Sequence, residues 1–195
     1  MTTVNKRFVT PAGIAEYPKL NEPDYKFNPD GEYKVTLVIP AKDAQGFVGQ
    51  LEELYAAAYE QIKSEQPGKK VKQADEPWKV RDDGSIEVRF KMRAKIKTRD
   101  GREMTLNPII VDAKGTPCSV QVGGGSKLKV AFTTAPYFTA LVGAGLSLRL
   151  QGVQVINLVQ GGGGFTNLGF TPEEGYSAEP AQPKAVTVDL EDGDF

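Results

Sequence analysis

"SIEVRFKMRAKIKTRDGRE", Ser85 to Glu103, decides how the rest of the chain is read. From Val88 onward the apolar side chains Val88, Phe90, Met92, Ala94 and Ile96 alternate with Arg89, Lys91, Arg93, Lys95, Lys97 and Arg99. Strict two-residue alternation puts successive side chains on opposite faces of a β-strand. One face is therefore apolar and belongs to a core, and the other is a ridge of cations with no acid among them. The Asp100–Gly101 pair that follows is a hairpin-turn signal, with a partner strand expected from near Met104 through "TLNPIIVDAKG".

The same alternation recurs outward from this stretch. "EYKVTLVIP" (32–40) sets Tyr33, Val35, Leu37 and Ile39 against Lys34 and Thr36, and "SKLKVAFTT" (126–134) sets Leu128, Val130 and Phe132 against Lys127 and Lys129. In "GLSLRLQGVQVINLV" (145–159) Leu146, Leu148 and Leu150 share one phase, while Val153 and Val155 share the other. The switch falls at Gly152, where one extra residue in a β-bulge would restore the pattern and bend the sheet towards closure. A single helix interrupts the strands. "KDAQGFVGQLEELYAAAYEQIKSEQPG" (42–68) places Phe47, Leu51, Leu54, Tyr55, Ala58, Tyr59 and Ile62 at helical spacing, with Asp43 as N-cap and Pro67–Gly68 as the stop. Short strands with one helix imply a mainly β protein, a barrel or sandwich under a single covering helix.

Composition narrows the chemistry. The chain has 195 residues, 39% apolar and 25% charged, which suits a globular body. No run of about 18 apolar residues could span a membrane, and "MTTVNKRFVTPAGIAEY" lacks the apolar core of a signal peptide. The lone Cys118 cannot form an internal disulfide, so a reducing, intracellular setting is expected. Absence of histidine removes Ser-His and Cys-His nucleophiles and makes a zinc site untenable beside one cysteine. Carboxylate-held magnesium stays open: Asp75, Glu76, Asp82 and Asp83 are the candidates for a nuclease reading, although around "DDG" they read better as turn residues. A β-rich virion component is a third reading, which accounts for the strands but not for the charge. Neither "VGGGSKLK" (122–129) nor "QGGGGF" (160–165) has the spacing of a phosphate-cradling loop.

Charge is divided unequally along the chain. Residues 171–195 hold seven acids and one lysine, a net −6, which leaves 23 basic against 18 acidic groups, a net +5, in residues 1–170. The total of −1 thus conceals a cationic body (1–170) and an acidic tail (171–195), whose Pro, Glu, Ser and Gly content predicts disorder. A flexible tail of this length spans roughly 25–30 Å, against a body with a radius of gyration of about 15 Å. It is long enough to compete for its own basic surface. The terminal "DLEDGDF" sets Asp189, Glu191, Asp192 and Asp194 beside Phe195, an amphipathic plug for a basic-rimmed apolar pocket on a partner.

The ridge asks for a polyanion. Alternate strand residues lie about 6.6–6.8 Å apart, close to the spacing of phosphates along an extended nucleic acid strand. Arg89, Lys91, Arg93, Lys95, Lys97 and Arg99 are the first candidates, extended by Arg102, Lys127 and Lys129. Single strands also need ring faces for base stacking; Trp78, between Pro77 and Lys79, is the leading ring, followed by Tyr137 and Phe138. Tyr17, Tyr25 and Phe27 are further rings in loops or short strands. No basic helix face suited to a major groove and no zinc-finger spacing is present, so single strands held without sequence readout are favoured.

A β-rich basic body, a covering helix and an acidic C-terminus closing on Phe195 together resemble the OB-fold single-stranded DNA-binding proteins of tailed bacteriophages. The resemblance implies an OB-fold-like Greek-key barrel and a non-enzymatic protein without cofactors. Such proteins coat and protect single-stranded DNA during replication and recombination in the cytoplasm of an infected bacterial host. Asp189 to Phe195 would then recruit replication proteins such as polymerase and primase-helicase, and the Arg89–Lys97 ridge would line the DNA groove. Members of that family often form dimers.

Overall fold

The structure is a computed structural model in which residues 6–68, 70–98 and 100–160 are described. Its elements follow in the order β1 (Arg7–Val9), β2 (Gly13–Asp24), β3 (Glu32–Ile39), α1 (Ala41–Glu65), β4 (Trp78–Val80), β5 (Ile86–Arg93), β6 (Lys95–Lys97), β7 (Glu103–Thr105), β8 (Ile109–Val111), β9 (Lys127–Thr139) and β10 (Gly143–Asn157). β2 pairs with β3, β3 with β5, β5 with β10, and β10 with β9. β9 returns to β2 through Gly13↔Leu128 and Ile14↔Lys127, which closes the circuit. Counting these five strands in chain order, the circuit runs first, second, third, fifth, fourth and back to first. That is a Greek-key barrel of the OB type, as expected, and closure removes the exposed edges an open sheet would carry.

Alternation builds the barrel's interior. Val35, Leu37 and Ile39 of β3 meet Ile86, Val88 and Phe90 of β5, Leu128, Val130 and Phe132 of β9, and Leu148 and Leu150 of β10, all fully buried. Phe132 is the hub: its ring lies 5.1 Å from Phe90, 5.5 Å from Phe8 and 6.2 Å from Phe47 of the helix. Each such side chain contributes roughly 1.5–3 kcal/mol by leaving water. α1 buries Ala44, Phe47, Leu51, Tyr55, Ala58 and Ile62, all but Ile62 in the same core as the barrel interior. It begins earlier than expected. Pro40, not Asp43, occupies the N-cap, because proline's fixed φ suits the helix entrance and Asp43 falls within the first turn.

The bulge at Gly152 is present where the phase switch placed it: β10 changes register against β9 between Leu150 and Gly152. The glycine also admits β8, which pairs in parallel there; a Cβ on Gly152 would lie 2.5 Å from the Ile109 carbonyl oxygen. The run from Val88 to Arg99 is not one strand, however. β3 ends opposite Arg93 at Glu32, so no neighbour remains beyond it. Ala94 is buried beneath the β2–β3 loop, its N–H donating to Gly31 O, and the chain resumes as β6, paired with β7 around the Asp100–Gly101 turn. The acidic segment 171–195, the domain boundary at 170 and Asp189 to Phe195 lie outside the described residues. None of the described helices is long and apolar enough to cross a membrane.

Candidate nucleic-acid interface

The basic run divides with its strand. Arg89, Lys91 and Arg93 stand exposed on the outer face of β5, over Val88 and Phe90 inside. Lys95 and Lys97 are exposed on the separate β6–β7 hairpin, with Lys97 3.6 Å from Glu103, while Arg102 folds back onto Asp100 at 2.6 Å. Arg99 lies outside the described residues. Lys91 meets Glu32 at 3.3 Å. Arg89, Arg93 and Lys95 have no carboxylate partner among the described residues.

The stronger cationic feature runs across the strands. Residues paired between neighbouring strands project on the same face, and the register sets Lys19 of β2 opposite Lys34 of β3, Lys34 opposite Lys91 of β5, and Lys91 beside Arg149 of β10. The line continues from Arg149 to Thr133 of β9 and from Thr133 to Arg7 of β1. Five cations thus follow one lane that crosses the strands and, because the circuit closes, winds around the barrel's outer surface, with the buried Thr133 between Arg149 and Arg7. At about 4.8 Å per strand step the lane covers roughly 24 Å. Its carboxylates sit to one side: Asp24 holds Lys34 at 2.6 Å and Glu32 holds Lys91. The Lys34 ammonium and the Lys26 N–H keep the Asp24 carboxyl below its usual range. Lys19 adds to the charge that lowers Asp24 without a close ion pair, and Arg149 and Arg7 have no carboxylate partner among the described residues.

Lys19 reaches this lane through a defect in β2. Between the pairs Glu16↔Thr36 and Lys19↔Lys34, β2 advances three residues while β3 advances two. The extra residue is accommodated at Tyr17, which has φ +48°, the left-handed region, and is 83% exposed. A non-glycine residue in that conformation costs about 1–3 kcal/mol and persists only where its surroundings impose it. Here Arg81 grips the preceding residue, donating to Glu16 at 2.8 Å and to Glu87 of β5 at 3.1 Å.

The rings expected to stack are distributed differently. Trp78 is a correction: at 7% exposure it is core, its ring 5.8 Å edge-on from Tyr55, because pairing of β4 with β5 turns its indole inward. Tyr137 is half-buried against Gly145, and Phe138 is partly exposed near the β9–β10 turn, five residues along β9 from Thr133 in the lane. Among the described residues the most exposed rings are Tyr17 and, in the β2–β3 loop, Phe27, over which Lys26 lies at 5.3 Å, with Tyr25 of the same loop 56% exposed. Lys127 and Lys129 are on β9 opposite Ile14 and Gln154, away from the lane. A cleft of about 610 Å³ is lined by Trp78 and Arg89 together with Asp75, Glu76 and Lys79. Asp83 accepts from the N–H and hydroxyl of Ser85 and shapes the turn before β5. Lys19, Lys34, Arg149 and Arg7 had been missed, since each is an unremarkable single cation in its own segment.

Comparison with known proteins agrees with this architecture. Residues 12–158 match the family model described as single-stranded DNA-binding protein, bacteriophage T7. The chain is 35% identical to the single-stranded DNA-binding protein of Escherichia phage T7 over 208 residues, covering 92% of this chain and 90% of that one. It is also 35% identical to the protein of the same name from Enterobacteria phage T3, over 82% of this chain and 79% of that one. The crystal structure of gp2.5, a single-stranded DNA-binding protein encoded by bacteriophage T7, superposes with a TM-score of 0.69 and 36% identity over 80% of this chain and 93% of that one. The single-stranded DNA-binding protein of bacteriophage Enc34, solved with single-stranded DNA, shares the fold at a TM-score of 0.58 and 12% identity, over 79% of this chain and 88% of that one. With its barrel, its covering helix and a family match spanning most of its length, the chain belongs to the bacteriophage T7 single-stranded DNA-binding protein family.

Proposed function

We propose that this protein binds single-stranded DNA along the lane Lys19–Lys34–Lys91–Arg149–Arg7, with Arg89 flanking it on one side and Arg93 and Lys95 on the other. The lane carries the reading: cations from five separate strands become successive neighbours along one path around the barrel only because its register brings them together. Phosphates neutralised there release counterions, an affinity that needs no base sequence. The protein acts as a coat and not as an enzyme, protecting strands during phage DNA replication and recombination in the cytoplasm of the infected host. Family membership and the charge split between residues 1–170 and 171–195 support this role. The acidic tail competes with DNA for the lane, and Asp189, Glu191, Asp192, Asp194 and Phe195 recruit polymerase and primase-helicase.

A gel shift with single-stranded DNA, duplex and RNA at about 50 and 200 mM salt tests the reading. The wild type should prefer single-stranded DNA. Replacing Lys19, Lys34 and Arg149 together by Ser should move the slope of log K against log salt towards zero by about 2. An unchanged slope would remove the lane from the interface. Full-length protein with Asp189, Asp192 and Asp194 changed to Asn and Glu191 to Gln should bind DNA more tightly while losing partner recruitment.

A further inference from the structure

Tyr17 is held out from the middle of a strand in a conformation that tyrosine disfavours, and nothing in the barrel uses its ring. Its φ is +48°, it precedes Pro18, and it is 83% exposed. A residue before proline is ordinarily driven to extended backbone, so Pro18 adds to the cost of the geometry it adopts. Its hydroxyl makes no hydrogen bond, and its ring meets no other ring or cation among the described residues. The β2 register on either side is nonetheless defined: Glu16 is gripped by Arg81, and Lys19 faces Lys34 in the cationic lane. Without the extra residue, Lys19 would point to the opposite face, since a one-residue slip reverses every side chain beyond it.

We propose that Tyr17 is a nucleobase-stacking platform, set beside the phosphate lane by the β2 bulge. This rests on the single-stranded DNA reading and adds what the lane cannot supply, contact with the bases themselves. The bulge does two jobs with one residue: it turns Lys19 onto the lane and lifts a planar apolar surface beside it. Phe27 is equally exposed, but it sits on a loop with Lys26 over its ring, whereas Tyr17 is placed by paired strands. Stacking on a ring tolerates any base, so the platform accommodates strands of mixed sequence.

The test compares wild type, Tyr17→Phe and Tyr17→Gly, each full length, on oligothymidylate and on a deoxyribose-phosphate strand of equal length without bases. Glycine accepts the left-handed φ without a Cβ penalty, so Tyr17→Gly keeps the bulge, and its thermal midpoint should equal or exceed that of wild type. Tyr17→Gly should bind oligothymidylate about 5- to 150-fold more weakly, with abasic binding and the salt slope unchanged. Tyr17→Phe should bind both strands as wild type does. Undiminished oligothymidylate binding by Tyr17→Gly, or an equal loss on both strands, would overturn the platform and leave the lane standing. If wild type binds neither strand, the DNA reading itself fails, and the platform with it.

Discussion

Lys91 of β5 stands beside Arg149 of β10 in a parallel pair, and opposite Lys34 of β3 on its other side. Like charges placed directly across a ladder are destabilising. Lys34 and Lys91 are each relieved by a carboxylate, Asp24 and Glu32, whereas Arg149 has none among the described residues. Arg149→Gln should therefore raise the free protein's stability by about 0.2–1 kcal/mol at low salt, with the gain shrinking as salt screens the charges. The same substitution should weaken DNA binding and flatten its salt slope by about 0.7. Denaturant unfolding at low and high salt, set beside a binding isotherm, checks both halves; a stability loss would contradict the lane geometry.

Asp24 anchors the end of β2 that carries the lane into the β2–β3 loop. Its carboxyl is held below the ordinary 3.8 first by the Lys34 ammonium and then by the Lys26 N–H. A carboxylate with a depressed folded-state pKa stabilises the fold above its unfolded pKa, and that stabilisation is lost as pH falls through the folded value. The stability difference between wild type and Asp24→Asn should be constant above about pH 5 and vanish on descent below 3.8. Acid titrations of both proteins, followed by circular dichroism, measure it. A difference that persists at the acid extreme would assign Asp24 a role other than this ion pair.

Trp78 packs edge-on against Tyr55 beneath β4. Trp78→Ala should cost about 3–5 kcal/mol, as large-to-small changes in a packed core do. Trp78→Phe should retain most of that stability and leave DNA affinity unchanged. Thermal unfolding and binding measured on the same preparations separate these effects. A selective loss of affinity in the folded Trp78→Phe variant would return this ring to the interface.

Gly152 is where β10 shifts register and β8 approaches. Its added Cβ would press on the Ile109 carbonyl, backbone that yields only by moving the strand. Gly152→Ala should destabilise by about 1–3 kcal/mol, and amide exchange should quicken in β8 while β3 and β5 stay protected. Uniform exchange across the barrel would show that β8 is not a separable edge.

Strands β1, β2 and β4 were not read from the amino-acid order, and β8, expected to continue the hairpin partner from Met104, pairs with β10 instead; β3, β5, β9 and β10, the helix, the Gly152 bulge and the outward face of Arg89, Lys91 and Arg93 were legible in it. Each follows from local periodicity, which a chain carries whatever its strands pair with. Trp78 was misread because one ring between a proline and a lysine has no period, and only the β4–β5 pairing says which way it points. The basic run was read along its strand, where its six cations are conspicuous, yet beyond Arg93 it loses β3 as a neighbour and turns into another hairpin. The lane was invisible for the complementary reason. Lys19, Lys34, Arg149 and Arg7 are scattered along the chain, and they align only when the barrel's long-range register and the extra residue at Tyr17 bring their strands into step. Alternation tells which face a side chain takes; which cations become neighbours is decided by non-local hydrogen bonding between strands.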